Sequence, residues 1–142
     1  MGIATRIERI IAKGQLAAFR FGANDVTASG TDVQLPSFTG SAAGIITPFA
    51  GEIIGISYLI SNAKTAGTLS IGPTIGGTER TALTLAAANS ATNGRKLVRR
   101  GTIPFSAGAE IGAEYTTDGS FAAGTNPDLS VTVWAIVSLE GI

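Results

Sequence analysis

The sequence predicts an all-β chain, a jelly-roll-like antiparallel β-sandwich of about eight strands with a short N-terminal amphipathic helix or arm. Three observations lead there. Short runs rich in Val, Ile, Leu and Thr recur at regular spacing, which suits a sandwich or barrel. Clusters of Gly, Ser, Asn and Pro separate them. Only residues 3–13 repeat at a helical period. The division expected is an arm over 1–14 and a sandwich domain over 15–142.

In the first segment Ile3, Ile7, Ile10 and Ile11 share a helical stripe, with Arg6, Glu8, Arg9 and Lys13 off it and Gly14 as a C-terminal stop. A helix this short is marginal alone, so it must dock. Three places are open to it: its own domain, a neighbouring subunit, or a membrane surface.

From Gln15 the pattern is strand and turn. Leu16 to Phe21 reads as a first strand and Val26 to Leu35 as a second, punctuated by Ser29-Gly30. Ala43 to Thr47 is short and stops at Pro48. Glu52 to Ile60 is strongly apolar and reads as central. Thr68 to Ile75 alternates, and Pro73 places it at an edge or a bulge. Thr78 to Leu85 follows the Gly76-Gly77 turn, and Asn93-Gly94 gives a second hairpin signal. Lys96 to Ile103, Glu110 to Thr117 and Leu129 to Leu139 complete the set. In the last, Leu129, Val131, Val133, Ala135, Val137 and Leu139 line one face, with Trp134 and Ile136 on the other. Whether that second face meets another chain or the opposite sheet of the same sandwich stays open. Strand order is not readable from these patterns.

Composition narrows function. The 142 residues make one domain, able to bury about two-thirds of its surface. There is no cysteine, hence no disulfide, and no histidine, hence neither the commonest general base nor the commonest metal ligand. Ten basic residues balance ten acidic ones, against the basic excess of a nucleic-acid binder. Charged residues are 14% of the chain, where about 25% is usual, and so weakly charged a surface favours association. No run approaches the roughly 20 apolar residues of a membrane span.

The residues offer little chemistry. Lys64 sits in an Asn-Ala-Lys-Thr turn and reads as a solvated lysine. Glu110 and Glu114 share one strand face, read as the solvent face, and are too far apart for a retaining glycosidase pair. Asp118-Gly119-Ser120 and Asn126-Pro127-Asp128 read as turns rather than calcium loops. The Gly-rich run 72–77 lacks the ending of a phosphate loop. Arg95, Lys96, Arg99 and Arg100 form the one basic cluster, a solvated strand end or a contact for an acidic patch on another protein. The expectation is a non-enzyme without metal or cofactor, its interface residues being Ile3, Ile7, Ile10, Ile11, Trp134 and Ile136.

Several stretches carry a resemblance. Residues 47–57 (Thr-Pro-Phe-Ala-Gly-Glu-Ile-Ile-Gly-Ile-Ser), 65–69 (Thr-Ala-Gly-Thr-Leu), 104–112 (Pro-Phe-Ser-Ala-Gly-Ala-Glu-Ile-Gly) and 115–118 (Tyr-Thr-Thr-Asp) resemble head decoration (cement) and minor virion structural proteins of tailed bacteriophages. The resemblance spans roughly residues 43 to 140 and carries no catalytic signature. It implies a homotrimer that binds the major capsid protein, stabilises the phage head and sits on the capsid surface of the virion after assembly in the host cytoplasm. An N-terminal extension is often the anchor in such proteins. No nucleic acid and no membrane would be partners. The rival is a receptor- or glycan-binding head of a fibre or spike, for which two Tyr and one Trp supply few stacking rings.

Overall fold

The computed structural model describes residues 14–37 and 43–139. The helix expected over residues 3–13 lies outside them. Eleven strands follow in order: β1 (Gln15–Ala23), β2 (Val33–Gln34), β3 (Ile45–Ile46), β4 (Gly51–Ile60), β5 (Leu69–Ile75), β6 (Thr78–Glu79), β7 (Leu85–Ala86), β8 (Asn93–Leu97), β9 (Ile103–Phe105), β10 (Glu110–Thr117) and β11 (Leu129–Val137). A single 3-10 turn, Thr81–Leu83, separates β6 from β7.

The strands form two antiparallel sheets. The first runs β1-β11-β4-β8, with β9 beside β8 on the same edge of β4. The second runs β2-β10-β5-β6, with β3 beside β2 against β10 and β7 beside β6 against β5. Three strand positions are thus each filled by two short pieces, so eleven strands occupy eight positions, four to a sheet. That is a jelly roll, as the strand count predicts.

Alternation builds the core. In β11, Leu129, Val131, Val133 and Ala135 are buried while the residues between them are half-buried. They face Phe21 of β1 and Ile53 and Ile56 of β4. From the second sheet come Leu35, Ile71 and Ile111, all of them at most 1% exposed. Side chains of two facing sheets interdigitate this way in sandwiches. In β4 the inward set passes from Ile53 to Ile56, because the register with β11 shifts between Trp134 and Ala135 and leaves Ile54 as the extra residue of a bulge.

Five expectations about strands and turns need correction. Val26 to Leu35 is mostly turn: Ser29 and Asp32 take positive φ (61° and 46°), which ends pairing and leaves β2 only two residues. β5 is an interior strand despite Pro73. The Pro73 carbonyl accepts the Arg80 N–H at 2.8 Å on the side where β6 and β7 leave a gap, so the absent proline N–H faces no ladder partner. Thr78 to Leu85 is not one strand but β6, the 3-10 turn and the start of β7, although Gly76 and Gly77 do form the predicted turn at φ 60° and 77°. Asn93-Gly94 opens β8 instead of turning a hairpin. Gly94 lies against the Tyr58 ring, whose Cε1 is 2.6 Å from where a Cβ would stand. Lys96 to Ile103 divides into the end of β8, a turn and β9.

Lys64 is buried, not solvated, at 5% exposure. Its ammonium donates to the Gly67 carbonyl at 2.7 Å and to Asn89 Oδ1. The turn folds inward because neighbouring loops cover it: the Thr65 N–H reaches Ala122 O at 2.8 Å and Asn62 Nδ2 reaches Thr125 O at 2.8 Å.

Candidate interaction surface

Strand register divides the outer face of the first sheet into rows, since directly paired residues share a face. One row joins Leu16, Ile136, Glu52 and Pro104. The next joins Ala18, Trp134, Gly55 and Leu97. The third, Arg20, Thr132, Ser57 and Arg95, is polar. The first two make an apolar band at the end of the sheet where β1 begins.

Leu16 is 64% exposed and Leu97 76%. Trp134 lies between them in the register, its Nε1 donating to Ser57 Oγ at 3.0 Å. Gly55 has no side chain, so Leu97 lies across it, with Cδ2 2.8 Å from a would-be Cβ. Leu16, Ile54, Ser57, Arg95, Leu97 and Trp134 line an open groove of about 410 Å³. Trp134 and Ile136 therefore face away from the second sheet.

The sequence missed Leu16, Leu97 and Ile54. The signal for Leu16 is present, because Ala17, Phe19 and Phe21 alternate with Leu16, Ala18 and Arg20, and burying the phenylalanines turns Leu16 outward. Leu97 is masked by the basic residues around it, and Ile54 faces outward only because of the bulge.

The basic cluster is dispersed. Arg95 and Lys96 both line the groove, and the Lys96 ammonium also donates to Thr84 O at 3.0 Å. Arg99 and Arg100 enter the turn before β9. Arg100 Nε donates to Glu52 Oε1 and the Gly101 N–H to Glu52 Oε2. Burial alone would raise the Glu52 pKa, but these bonds and the arginine charge outweigh it and hold the carboxyl below its ordinary value. Arg100 is mostly exposed while the Glu52 side chain is largely covered, and with one partner in solvent the pair adds little stability.

The second sheet differs on its outer face, which is mostly polar apart from the exposed Ile46 beside Glu110. There Glu110 is exposed, as expected, but Glu114 is buried at 4% exposure. The cause is its neighbours: Gln34 Nε2 donates to Glu114 Oε2 at 2.5 Å, and Glu79 lies over Gly72, the β5 partner of Glu114. Burial raises the Glu114 pKa, and the nearby Asp32 and Glu79 charges raise it further against the Gln34 hydrogen bond. The folded state therefore binds this proton more tightly than the unfolded chain does. The stabilisation is complete below the unfolded value of about 4.3 and is lost as pH rises through the folded one. Glu114→Gln should remove that fall and give a higher urea midpoint at neutral pH. Midpoints that change equally with pH in both proteins would contradict this.

The turn acids are occupied. Asp118 Oδ1 accepts the Thr68 and Ser120 N–H groups at 3.0 and 3.2 Å, and Asp128 Oδ1 accepts the Asp25 N–H at 3.3 Å. Among the described residues no three Asp, Glu, His or Cys side chains group as metal ligands.

These features define the class: an antiparallel jelly roll with one apolar outer band. No known protein-family pattern matches the chain, and no curated protein matches it. Among solved structures it is similar to a chain of the cyanophage Pam1 capsid asymmetric unit, with a TM-score of 0.54 and 10% identity over 87% of this chain and 85% of that one. It also aligns with a chain of the acid-stable capsid of Helicobacter pylori bacteriophage KHP30, at a TM-score of 0.47 and 12% identity over 86% and 91% of the two chains. At such identity the Pam1 likeness establishes a shared fold, and the second alignment carries no further weight.

Proposed function

We propose that this chain is a non-enzymatic structural protein of a bacteriophage virion, a decoration (cement) protein that forms a homotrimer and binds the major capsid protein. It would act on the capsid surface after assembly in the host cytoplasm, its sandwich domain over 15–142 and its arm over 1–14. The outer face of the first sheet and the N-terminal segment, with Ile3, Ile7, Ile10, Ile11, Trp134 and Ile136, form the assembly surface. Arg95, Lys96, Arg99 and Arg100 flank it as a contact for acidic groups. The observation carrying the reading is the exposed apolar band on a jelly roll whose fold is shared, over most of both chains, with a chain of a phage capsid. Interfaces are rich in buried aromatic and aliphatic anchors at their centre and in Arg.

The rival reading, a glycan-binding head, draws less support. Tyr58 and Tyr115 are both buried, which leaves Trp134 as the one Tyr or Trp ring on an outer face.

The test is light scattering of the full chain, followed by co-sedimentation with capsids of its own phage lacking this protein. The reading expects three times the 14.3 kDa chain mass and stoichiometric binding. Leu97→Glu with Trp134→Glu should abolish binding while the far-ultraviolet circular dichroism stays unchanged. A stable monomer that ignores capsids would overturn the reading.

A further inference from the structure

Two open sheets have four edges, and among the described residues three of these are guarded against strand pairing. In the second sheet both edges are made of two-residue pieces, β2 and β3 on one side and β6 and β7 on the other. The first sheet ends on one side in β8, which carries Arg95 and Lys96, and in β9, three residues with Pro104 at the centre. Short pieces, cations and proline are the usual guards of an exposed edge. β1 has none of them over Gln15, Leu16, Ala17, Ala18 and Phe19. It is nine residues long, and its register with β11 is unbroken.

The direction of its backbone groups follows from one bond. The Gly22 N–H reaches the Pro36 carbonyl at 3.0 Å on the side of β1 away from β11, where Phe21 also bridges Ser37. Backbone polar groups alternate sides along a strand, so the N–H and C=O of Leu16 and Ala18 point to that same side. Among the described residues no strand pairs with them there. Their side chains lie on the outer face, and Ala17 and Phe19 lie half-buried on the inner one.

We infer that β1 is a strand-pairing edge for a second copy of this chain, the two β1 strands lying antiparallel about a two-fold axis at Ala17. Leu16 of each copy then lies opposite Ala18 of the other, and each such pair exchanges both N–H···O=C bonds. The stretch is its own complement. A large side chain meets a small one at both pairs, two alanines meet at the axis, and no like charges face each other. Gln15 stands beside Phe19 of the second copy. The overlap also stops in the right place: Gly14, at φ +118°, leaves the extended conformation opposite Arg20, before Phe21, whose edge Ser37 already occupies. The union closes as well. With the β1 edges joined, both ends of the combined sheet are β8 and β9, so pairing stops at two copies.

The joint uses an edge of the first sheet and leaves its outer face open. A two-fold contact of this kind links oligomers side by side without replacing a three-fold one. One strand pair falls short of the roughly 1,600 Å² of a standard stable interface, so it forms between crowded copies and leaves the mass of dilute protein unchanged. It does not depend on the virion reading.

The chain has no native cysteine, which makes a single introduced one a clean probe. Ala17 faces itself across the axis as a non-hydrogen-bonded pair, with Cα atoms about 4.5 Å apart, inside the disulfide range of about 4.4–6.8 Å. In concentrated full-length protein under mild oxidation, Ala17→Cys should give a disulfide-linked pair of chains. Ala107→Cys, exposed in the turn before β10, should not. Adding Ala18→Pro to Ala17→Cys should abolish the link and leave the urea midpoint unchanged, because the Ala18 N–H makes no bond to β11. Adding Leu16→Lys and Ala18→Lys instead, both at exposed positions, sets ammonium groups opposite each other and should abolish it too. Absence of the link in Ala17→Cys, an equal link in Ala107→Cys, or a link that persists in the proline and lysine variants overturns the proposal. Capsid binding is not read, so failure here is distinct from failure of the virion assignment.

Discussion

Phe21→Ala is expected to destabilise the protein by about 3–5 kcal/mol, the range for deleting a buried phenylalanine. Phe21 is fully buried in β1, and its register partner Val131 is fully buried too. Truncation removes the ring from the centre of the space between the sheets, where the second sheet supplies Leu35, Ile71 and Ile111 from the other side. The surrounding strands cannot close on the void without giving up register. Domains of this size have about 5–15 kcal/mol of stability in all, so the variant should approach its unfolding threshold. Leu59→Ala is the control: Leu59 is 58% exposed on the outer face of β4, and its loss should stay within about 0.5 kcal/mol. Urea midpoints for the two variants, with slopes compared, decide the matter. Similar losses for both would mean that the core is not between the sheets.

The contrast between Phe21 and Leu59 shows what alternation makes legible. Where a strand pairs along its whole length, as in β10 and β11, its place follows from the residues: β10 has the expected bounds, Glu110–Thr117, while β11 starts at Leu129 as expected and ends at Val137, two residues short of Leu139. The same rule fails where tertiary partners interrupt the ladder. Val26 to Leu35 has the composition of a strand, but its backbone groups pair with distant turns: the Ser29 N–H reaches Asp118 O and the Val26 N–H reaches Pro127 O, at 2.9 Å each. Nothing local announces those partners. Pro73 misled for a related reason, since whether a missing N–H matters depends on which short strand lies opposite it.

The surface was half legible. That Trp134 and Ile136 share one face follows from the β11 pattern, but which way that face points is settled only by the burial of Leu129, Val131, Val133 and Ala135. Leu97 was hidden by the charges around it, and the position of Ile54 depends on a bulge that only the pairing with β11 reveals. Lys64 and Glu114 show the general difficulty with polar residues. Their types predict exposure, and only the loop and side chains folded over them, from far along the chain, reverse it.

Gly67→Ala should be as damaging as a core deletion, for a reason that no local pattern carries. Gly67 has φ +71°, a region that costs an L-residue about 1–2 kcal/mol. Gly76 supplies the comparison: it has φ +60° with nothing within 4 Å of a would-be Cβ, so Gly76→Ala should pay that cost alone. At Gly67 a methyl group would also overlap the Phe121 N, the Ser120 carbonyl carbon and Asp118 Oδ1. Two of these are backbone atoms and the third is fixed by its bonds to Thr68 and Ser120, so none can swing aside. Relief requires the 61–68 and 118–122 loops to separate. That would break the Ala122 N–H bond to Ala66 O and pull the Gly67 carbonyl from the Lys64 ammonium, leaving a buried cation short of an acceptor. Large losses of this kind, above about 4 kcal/mol, are confined to a few mechanisms, and backbone strain combined with a broken buried network is among them. Thermal melts of the two alanine variants should therefore separate clearly, with Gly67→Ala much the lower. Equal melting temperatures would show that the two loops move apart without cost and that Lys64 does not hold them.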